Sequence, residues 1–557
     1  MGVRLINNRL IRVAKGELAA DLLLANAKII NVFTGQIEPG NIAICGEKIA
    51  GVGDYRKARE VVDVGGRYIA PGLINGHIHP ESSMLDIDQY ARAVLPHGTT
   101  ALVTDLHEIA NVSGLEGIRY ILNRARRLPF DLFLMAPSCV PATSRETSGA
   151  NLGLKEISKI LGWKECLGLG EVMNFPGVIG GDKAVLKKIG LARGKIIDGH
   201  APGLSGKALS AYIAAGIYSD HESVSLNEAK EKLKRGMWLM LREGSSEKNL
   251  EALLPLVTDK TFQRCMFVVD DRSCLDLLKD GDIDGVVRKA IRLGLDPVRA
   301  IQLATINPAE YFRRPGLGAI APSCMANLMV LGDLSELKIE RVFYRGKLVA
   351  KEGKPLFPTP KAAGRLTDTV RVKPFSIEAL KYTASGETEP VIEVVPGQII
   401  TRKKMAKIRV VPDPERDILK LVVVERHKAT GNIGVGLVGG FGLKRGALAS
   451  SIAHDSHNII AVGASDEDIF TAIKEIERLK GGLVAVAGGK VLASLALPVA
   501  GLLSDLPLET VVSKLEKLEL TAAELGTKLP SPFATLSFLA LPVIPEIRLT
   551  DRGVVEV

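Results

Sequence analysis

A chain of 557 residues, 46 % hydrophobic and 24 % charged, has the balance of a soluble globular protein with about two to four domains. Its formal charge of +9 invites an acidic partner, but the basic residues are scattered and aromatic residues make up only 4 %, so no nucleic acid is expected. The longest apolar run, "VLASLALPVAGLL", contains a proline and falls short of the about 20 residues a membrane span needs, and the N-terminal stretch lacks a signal-type apolar core. Six scattered cysteines without a CxxC pair complete the expectation of a cytoplasmic protein with reduced thiols and no membrane partner.

Short β-type runs come first: "DLLLANAKIINVFTG", "NIAICGEKIAGVG" and "REVVDVGG", separated by glycine-rich turns. A similar patch returns at "ANLMVLGDL" and "IERVFYRGKLVA". Two β-rich flanks around a long middle predict one small β-sandwich domain, residues 1–66 and 316–365, the second part ending in a Pro- and Lys-containing linker.

In the middle, residues 67–315, apolar strand-like runs end near His79, Asp105, Ser138, Glu171, His200, His221, Arg242 and Asp270. Amphipathic stretches such as "GLEGIRYILNRARRL" and "GKALSAYIAAG" lie between them, at the spacing of strand–helix units. Eight such units predict an α/β fold of the (β/α)8 type, whose active site forms at the C-terminal strand ends. Residues 366–557 alternate strands and helices again and read as a separate α/β domain.

The chemistry begins in "APGLINGHIHPESSM". Alternate side chains of a strand face the same way, so His77 and His79 point together and can grip one metal ion. With only nine histidines in the chain, others also stand at strand ends: His200 in "KIIDGHAPG" and His221 in "GIYSDHES". Glu171 in "LGLGEVMN" and Asp270 and Asp271 in "MFVVDDRS" add carboxylates. Taken singly, each is equally a loop histidine or a helix cap; at the ends of barrel strands they converge on one mouth. Asp105, His107 and Glu108 in "TDLHEIANV" follow the second strand to the same mouth, as Ser138 follows the third. His97 precedes the second strand and reads as structural. His454 and His457 in "HDSHN" form either a helical i, i+3 pair or a turn held by Asp455 and Ser456, and no metal is assigned to them.

An HxH pair, a carboxylate, two separate histidines and a late aspartate resemble the amidohydrolase superfamily. "GHIHPESSM", "VTDLHEIANV", "PSCVPAT", "GEVMNFPGV", "DGHAPGLSG" and "DDRS" narrow the resemblance to the bacterial-type adenine deaminase family. So do "GGFGLKRGALASSIAHDSHNIIAVG" and "FATLSFLALPVIPEIRLTDRG" near the end. The resemblance implies hydrolysis of adenine to hypoxanthine and ammonia, in purine salvage, by a homo-oligomer carrying two divalent ions, manganese or iron before zinc. It implies His77 and His79 on one ion and His200 and His221 on the other. Glu171 would bridge them, Asp270 would be the last ligand and proton shuttle, and Asp105, His107, Glu108 and Ser138 would lie around the substrate. Alternatives are a cyclic-amide or other aminoheterocycle hydrolase, or a non-catalytic barrel. Deaminases with the P-C-x-x-C zinc signature are excluded, because the chain has no CxxC. The chain departs from the family pattern at Pro80, Leu106, Ser273, Asp282 and Gly285.

Overall fold

The computed structural model describes residues 7–358, 366–384 and 386–557. Strands Leu73–Asn75, Thr99–Thr104, Asp131–Ala136, Cys166–Val172 and Ile196–Gly199 run parallel in one sheet; Ser219–Asp220, Trp238–Arg242 and Cys265–Val268 form a second parallel sheet. Asp270–Asp271 then pairs in parallel with Ile78–His79, which joins the last strand to the first. Most of the strands are largely apolar because helices cover their outer face and packed side chains fill the interior; Thr99–Thr104 and Cys265–Val268 are buried at every residue. Val103, Met135, Ile196, Met240, Met266 and Val268 belong to one interior cluster.

Both flanks of the barrel contribute to one nine-stranded sheet. Its N-terminal part spans Ala20–Asn31 to Tyr68–Pro71 and its later part Leu328–Asp333 to Lys354–Pro355. The join is the antiparallel pairing of Tyr68–Pro71 with Leu328–Asp333. Part of the expected linker, residues 359–365, lies outside the described residues.

Beyond it stands an eight-stranded sheet whose centre includes Leu419–Val424, Ile433–Gly439, Ala447–Ser450 and Ile459–Gly463. Strands Leu419–Val424, Ala447–Ser450 and Ile459–Gly463 are buried on both faces. Val422 and Val424 pack with Ile469, Ala472, Ile473 and Ile476 of helix Asp466–Leu479, while Leu419, Leu421 and Val423 belong to the large core that includes the barrel. That alternation explains why "LKLVVV" carries almost no polar residue.

This last unit sits over the barrel mouth. Ser504 and the loop after the first barrel strand exchange two backbone hydrogen bonds, Asp86 N–H to Ser504 O at 2.8 Å and Ser504 N–H to Met84 O at 2.7 Å. The loop after the third strand is held the same way: Thr147 N–H donates to Asp551 (2.9 Å) and Asn458 Nδ2 to the Thr147 carbonyl (2.9 Å). Among the described residues, no helix is long and apolar enough to cross a membrane.

The departures from the family pattern have local causes. Pro80 opens the 3-10 turn Pro80–Ser83, where its missing N–H leaves no bond unmade. Ser273 caps helix Cys274–Asp280 by accepting from Asp276 N–H at 3.1 Å. A Cβ on Gly285 would stand 2.5 Å from the Asp280 carbonyl oxygen, so this backbone has no room for a side chain there. Asp282 is fully buried and accepts from Thr99 Oγ1 (2.8 Å) and Asn75 Nδ2 (3.1 Å).

Lys232 ties together the loops that follow the fifth and sixth strands. Its buried ammonium donates to Ala201 O and Asp220 Oδ2 (both 2.8 Å), Glu228 Oε1 (2.7 Å) and Ser223 Oγ (3.2 Å). Removing one partner of a buried ion pair leaves an uncompensated charge, so Lys232→Met should cost about 3–5 kcal/mol. Both tryptophans, Trp163 and Trp238, lie in the barrel, and guanidinium unfolding followed by their fluorescence reads the effect; an unshifted midpoint would rule out this role for Lys232.

Candidate active site

Each functional side chain sits at, or just beyond, the C-terminal end of a barrel strand. The short strand Ile78–His79 buries Ile78 completely, and the imidazoles of His77 and His79 stand edge to face with centroids 4.9 Å apart. The first strand's partner across the closure brings Asp270 to them: Asp270 Oδ1 lies 3.3 Å from His77 Nε2 and 3.1 Å from His79 Nε2. Asp270 has φ 65, a left-handed conformation that aspartate adopts more readily than most side chains.

Glu171 ends the fourth strand at the centre. Its Oε1 is 3.2 Å from His79 Nε2, while its Oε2 is 2.9 Å from His200 Nδ1 and 3.4 Å from His221 Nε2. One oxygen thus faces His79 and the other faces His200 and His221. The rings of His77 and His221 stack with centroids 4.3 Å apart, so the two halves form one cluster. Ser138 hangs below it: its hydroxyl donates to the Glu171 backbone carbonyl at 2.6 Å and so steadies the end of that strand.

Asp105 and His107 lie inside this cluster. Asp105 Oδ1 is 3.3 Å from His79 Nδ1 and 2.9 Å from His107 Nδ1, and His107 Nδ1 is 3.6 Å from Glu171 Oε1. The turn between them depends on Leu106 at φ 55, which a proline ring, fixed near −65°, cannot adopt. Glu108 faces outward from the cluster to the last domain, where it meets His454 Nδ1 at 2.9 Å and His457 Nε2. His97 is paired with Asp284 at 2.9 Å, away from these residues.

Sequence reasoning passed over Glu222 and Arg242. Strand alternation would turn Glu222 away from its neighbour His221, but the strand ends at Asp220, and in the loop both face inward, with Glu222 Oε1 3.3 Å from His221 Nε2. Arg242 was visible only as the end of a strand. Its guanidinium grips Glu222 with both terminal nitrogens and Asp270 Oδ2 at 2.6 Å. Glu81, two residues beyond the HxH pair, is also buried there, with Oε2 free of any hydrogen bond.

The charges follow from these contacts. Burial opposes ionisation of Glu171, but His200, His221 and His79 outweigh it and hold the carboxyl well below its usual range. At Asp270 burial is likewise overcome, by Arg242 and then His77 and His79. Burial lifts Glu81 to about 7.

The donor set fits a metal ion. His77 Nε2 is buried and lacks an aligned hydrogen bond although Asp270 Oδ1 is 3.3 Å away, close enough to share an ion but not aligned to share a proton. His77, His79 and Asp270 form one ligand-competent group; His77, Glu171 and His221 a second; His79, Asp105, His107 and Glu171 a third; His200, His221 and Glu222 a fourth.

Comparison with known proteins agrees with the geometry. Residues 68–349 match the amidohydrolase family and residues 396–557 the adenine deaminase C-terminal domain. An adenine deaminase of Dehalococcoides mccartyi is 60 % identical over 556 residues, covering 99 % of this chain and 97 % of that one. This chain belongs to the adenine deaminase family of amidohydrolases. Adenine deaminase 2 of Carboxydothermus hydrogenoformans is 50 % identical, over 98 % of this chain and 97 % of its own, and the adenine deaminase of Desulfatibacillum aliphaticivorans is 47 % identical, over 99 % and 98 %. Membership in this family implies a divalent metal ion.

Arg242 holds two carboxylates of the cluster without being able to ligate a metal itself. Removing such a supporting partner costs about 10- to 100-fold in metal affinity, and Arg242→Met should weaken divalent-ion binding by that amount in a chelator competition. Arg242→Lys, which keeps the charge but not the fork, should recover only part of it. Wild-type affinity in Arg242→Met would contradict the assignment.

Proposed function

We propose that this chain hydrolyses adenine to hypoxanthine and ammonia at the barrel mouth. The observation that carries this reading is the full-length similarity to adenine deaminases, which spans both the barrel and the domain over its mouth. The division of Glu171 between two histidine sets supports it. On this reading His77 and His79, with Asp270, hold one divalent ion, His200 and His221 hold another, and Glu171 lies between them. A mixed imidazole–carboxylate set suits manganese, iron or zinc, with manganese or iron favoured by the family. Six unpaired cysteines support a reducing, cytoplasmic setting.

Adenine is aromatic, and addition of water at C6 breaks its conjugation. A divalent ion in such a site lowers the pKa of water and so supplies a nucleophile near neutral pH. Asp270 is placed to take a proton from the attacking water, since Oδ1 faces the histidines while Oδ2 is anchored on Arg242. As the C6–O bond forms and the C6–N bond breaks, Asp270 returns that proton to the departing amino group. The two protons of the water are thereby divided: one leaves with ammonia and one stays on N1 of hypoxanthine. Asp105, His107 and Glu108 stand where they can orient the base or relay the second proton.

The ultraviolet change from adenine to hypoxanthine, followed with protein supplied with manganese, tests the reading. Asp270→Asn should lower kcat by at least about 100- to 10,000-fold, the worth of a general acid–base group, with the native tryptophan fluorescence of the barrel retained. Turnover of a cyclic amide or another aminoheterocycle, with none of adenine, would overturn the substrate assignment.

A further inference from the structure

A cavity of about 310 Å³ lies between the barrel mouth and the last domain. It is at the lower end of the range for small-molecule sites, as suits a free base. Glu81, Glu108, Asp271 and His454 are among its polar walls, and Leu502 and Phe538 are among its apolar ones. The imidazole of His454 stacks on the Phe538 ring with centroids 4.7 Å apart and planes 20° from parallel. Its Nδ1 is committed to Glu108 Oε1 at 2.9 Å. Its Nε2 has no partner among the described residues, is not sealed off from water, and belongs to a side chain that lines the cavity.

Glu108, His454 and His457 are close enough together to hold an ion, but the hydrogen bonding of His457 opposes that use. Its Nδ1 accepts from Ala453 N–H at 3.3 Å, which leaves the proton of a neutral ring on Nε2, pointing at Glu108. Burial keeps that ring neutral by lowering it to about 4. His457 therefore donates to Glu108 and steadies it, and Glu108 in turn fixes the rotation of His454.

We propose that His454 is a catalytic residue contributed by the last domain, its Nε2–H donating to a ring nitrogen of the purine held in this cavity. This rests on the adenine reading above. Burial opposes charge on His454, but the Glu108 carboxylate outweighs it and lifts the imidazole to about 9. Both nitrogens then carry protons, one for Glu108 and one for the base. Addition of water at C6 places negative charge on the ring nitrogens, so the same bond strengthens as the reaction proceeds.

The test uses His454→Gln, His454→Asn and His454→Phe in the full-length, metal-supplied protein, with adenine kinetics and metal content measured for each. Gln reaches the Nε2 position, Asn reaches only the Nδ1 position, and Phe keeps the stack on Phe538 with neither nitrogen. Loss of one buried hydrogen bond is worth about tenfold. His454→Asn and His454→Phe should therefore raise KM or lower kcat by about tenfold or more, while His454→Gln stays within about threefold of wild type and metal content is unchanged in all three. Equal effects of Gln and Asn, or wild-type kinetics in His454→Phe, would sink the inference. So would loss of one ion per chain, which would make the cluster a cation site. A wild type that does not turn over adenine would instead bring down the substrate reading itself.

Discussion

A carboxylate can be buried only among partners, and Glu171 is buried among histidines brought from three other strand ends. His79 comes from the first, His200 from the fifth and His221 from the sixth, so none of these contacts exists until the barrel has closed. The closure itself passes through the site, because Asp270–Asp271 pairs with Ile78–His79. The same pairing that completes the barrel carries Asp270 to the HxH pair. Fold and site are therefore one constraint: the cluster forms where the last strand meets the first.

The groups around this centre serve mainly to hold it still. Ser138 takes the main chain of Glu171, Lys232 ties the loops after His200 and His221, and Arg242 braces Asp270 and Glu222. The last domain continues this support from above. Its sheet packs one face on its own helix and the other on the large core that includes the barrel, and its loop 451–458 reaches down to Glu108. That contact gives the domain a reason to be present beyond covering apolar surface, since it supplies one wall of the cavity beside the metal-competent cluster.

Much of this was legible in the sequence because barrel strands announce themselves as short apolar runs ending in a polar residue. The seventh, "MWLMLREG", is the strand Trp238–Arg242. His77, His79, Glu171, His200, His221 and Asp270 all lie where strand ends put them. What could not be read depends on loop geometry. Glu222 faces inward because its strand stops one residue before His221, and Leu106 takes a left-handed turn that gathers Asp105 and His107. His454 and His457 are more than 340 residues from Glu108 along the chain, and no local pattern links them. Pro80 looked anomalous beside the histidines until the 3-10 turn gave it the one position where proline costs nothing.

On the proposed reading Glu171 is shared between two ions, and metal content measures that directly. Chain stripped by a chelator and reloaded with manganese should carry two ions per chain, and Glu171→Gln, which keeps the side chain's size but removes its charge, should retain at most one while the barrel keeps its native tryptophan fluorescence. Two tightly held ions in Glu171→Gln, or a single ion in the fully active wild type, would contradict it.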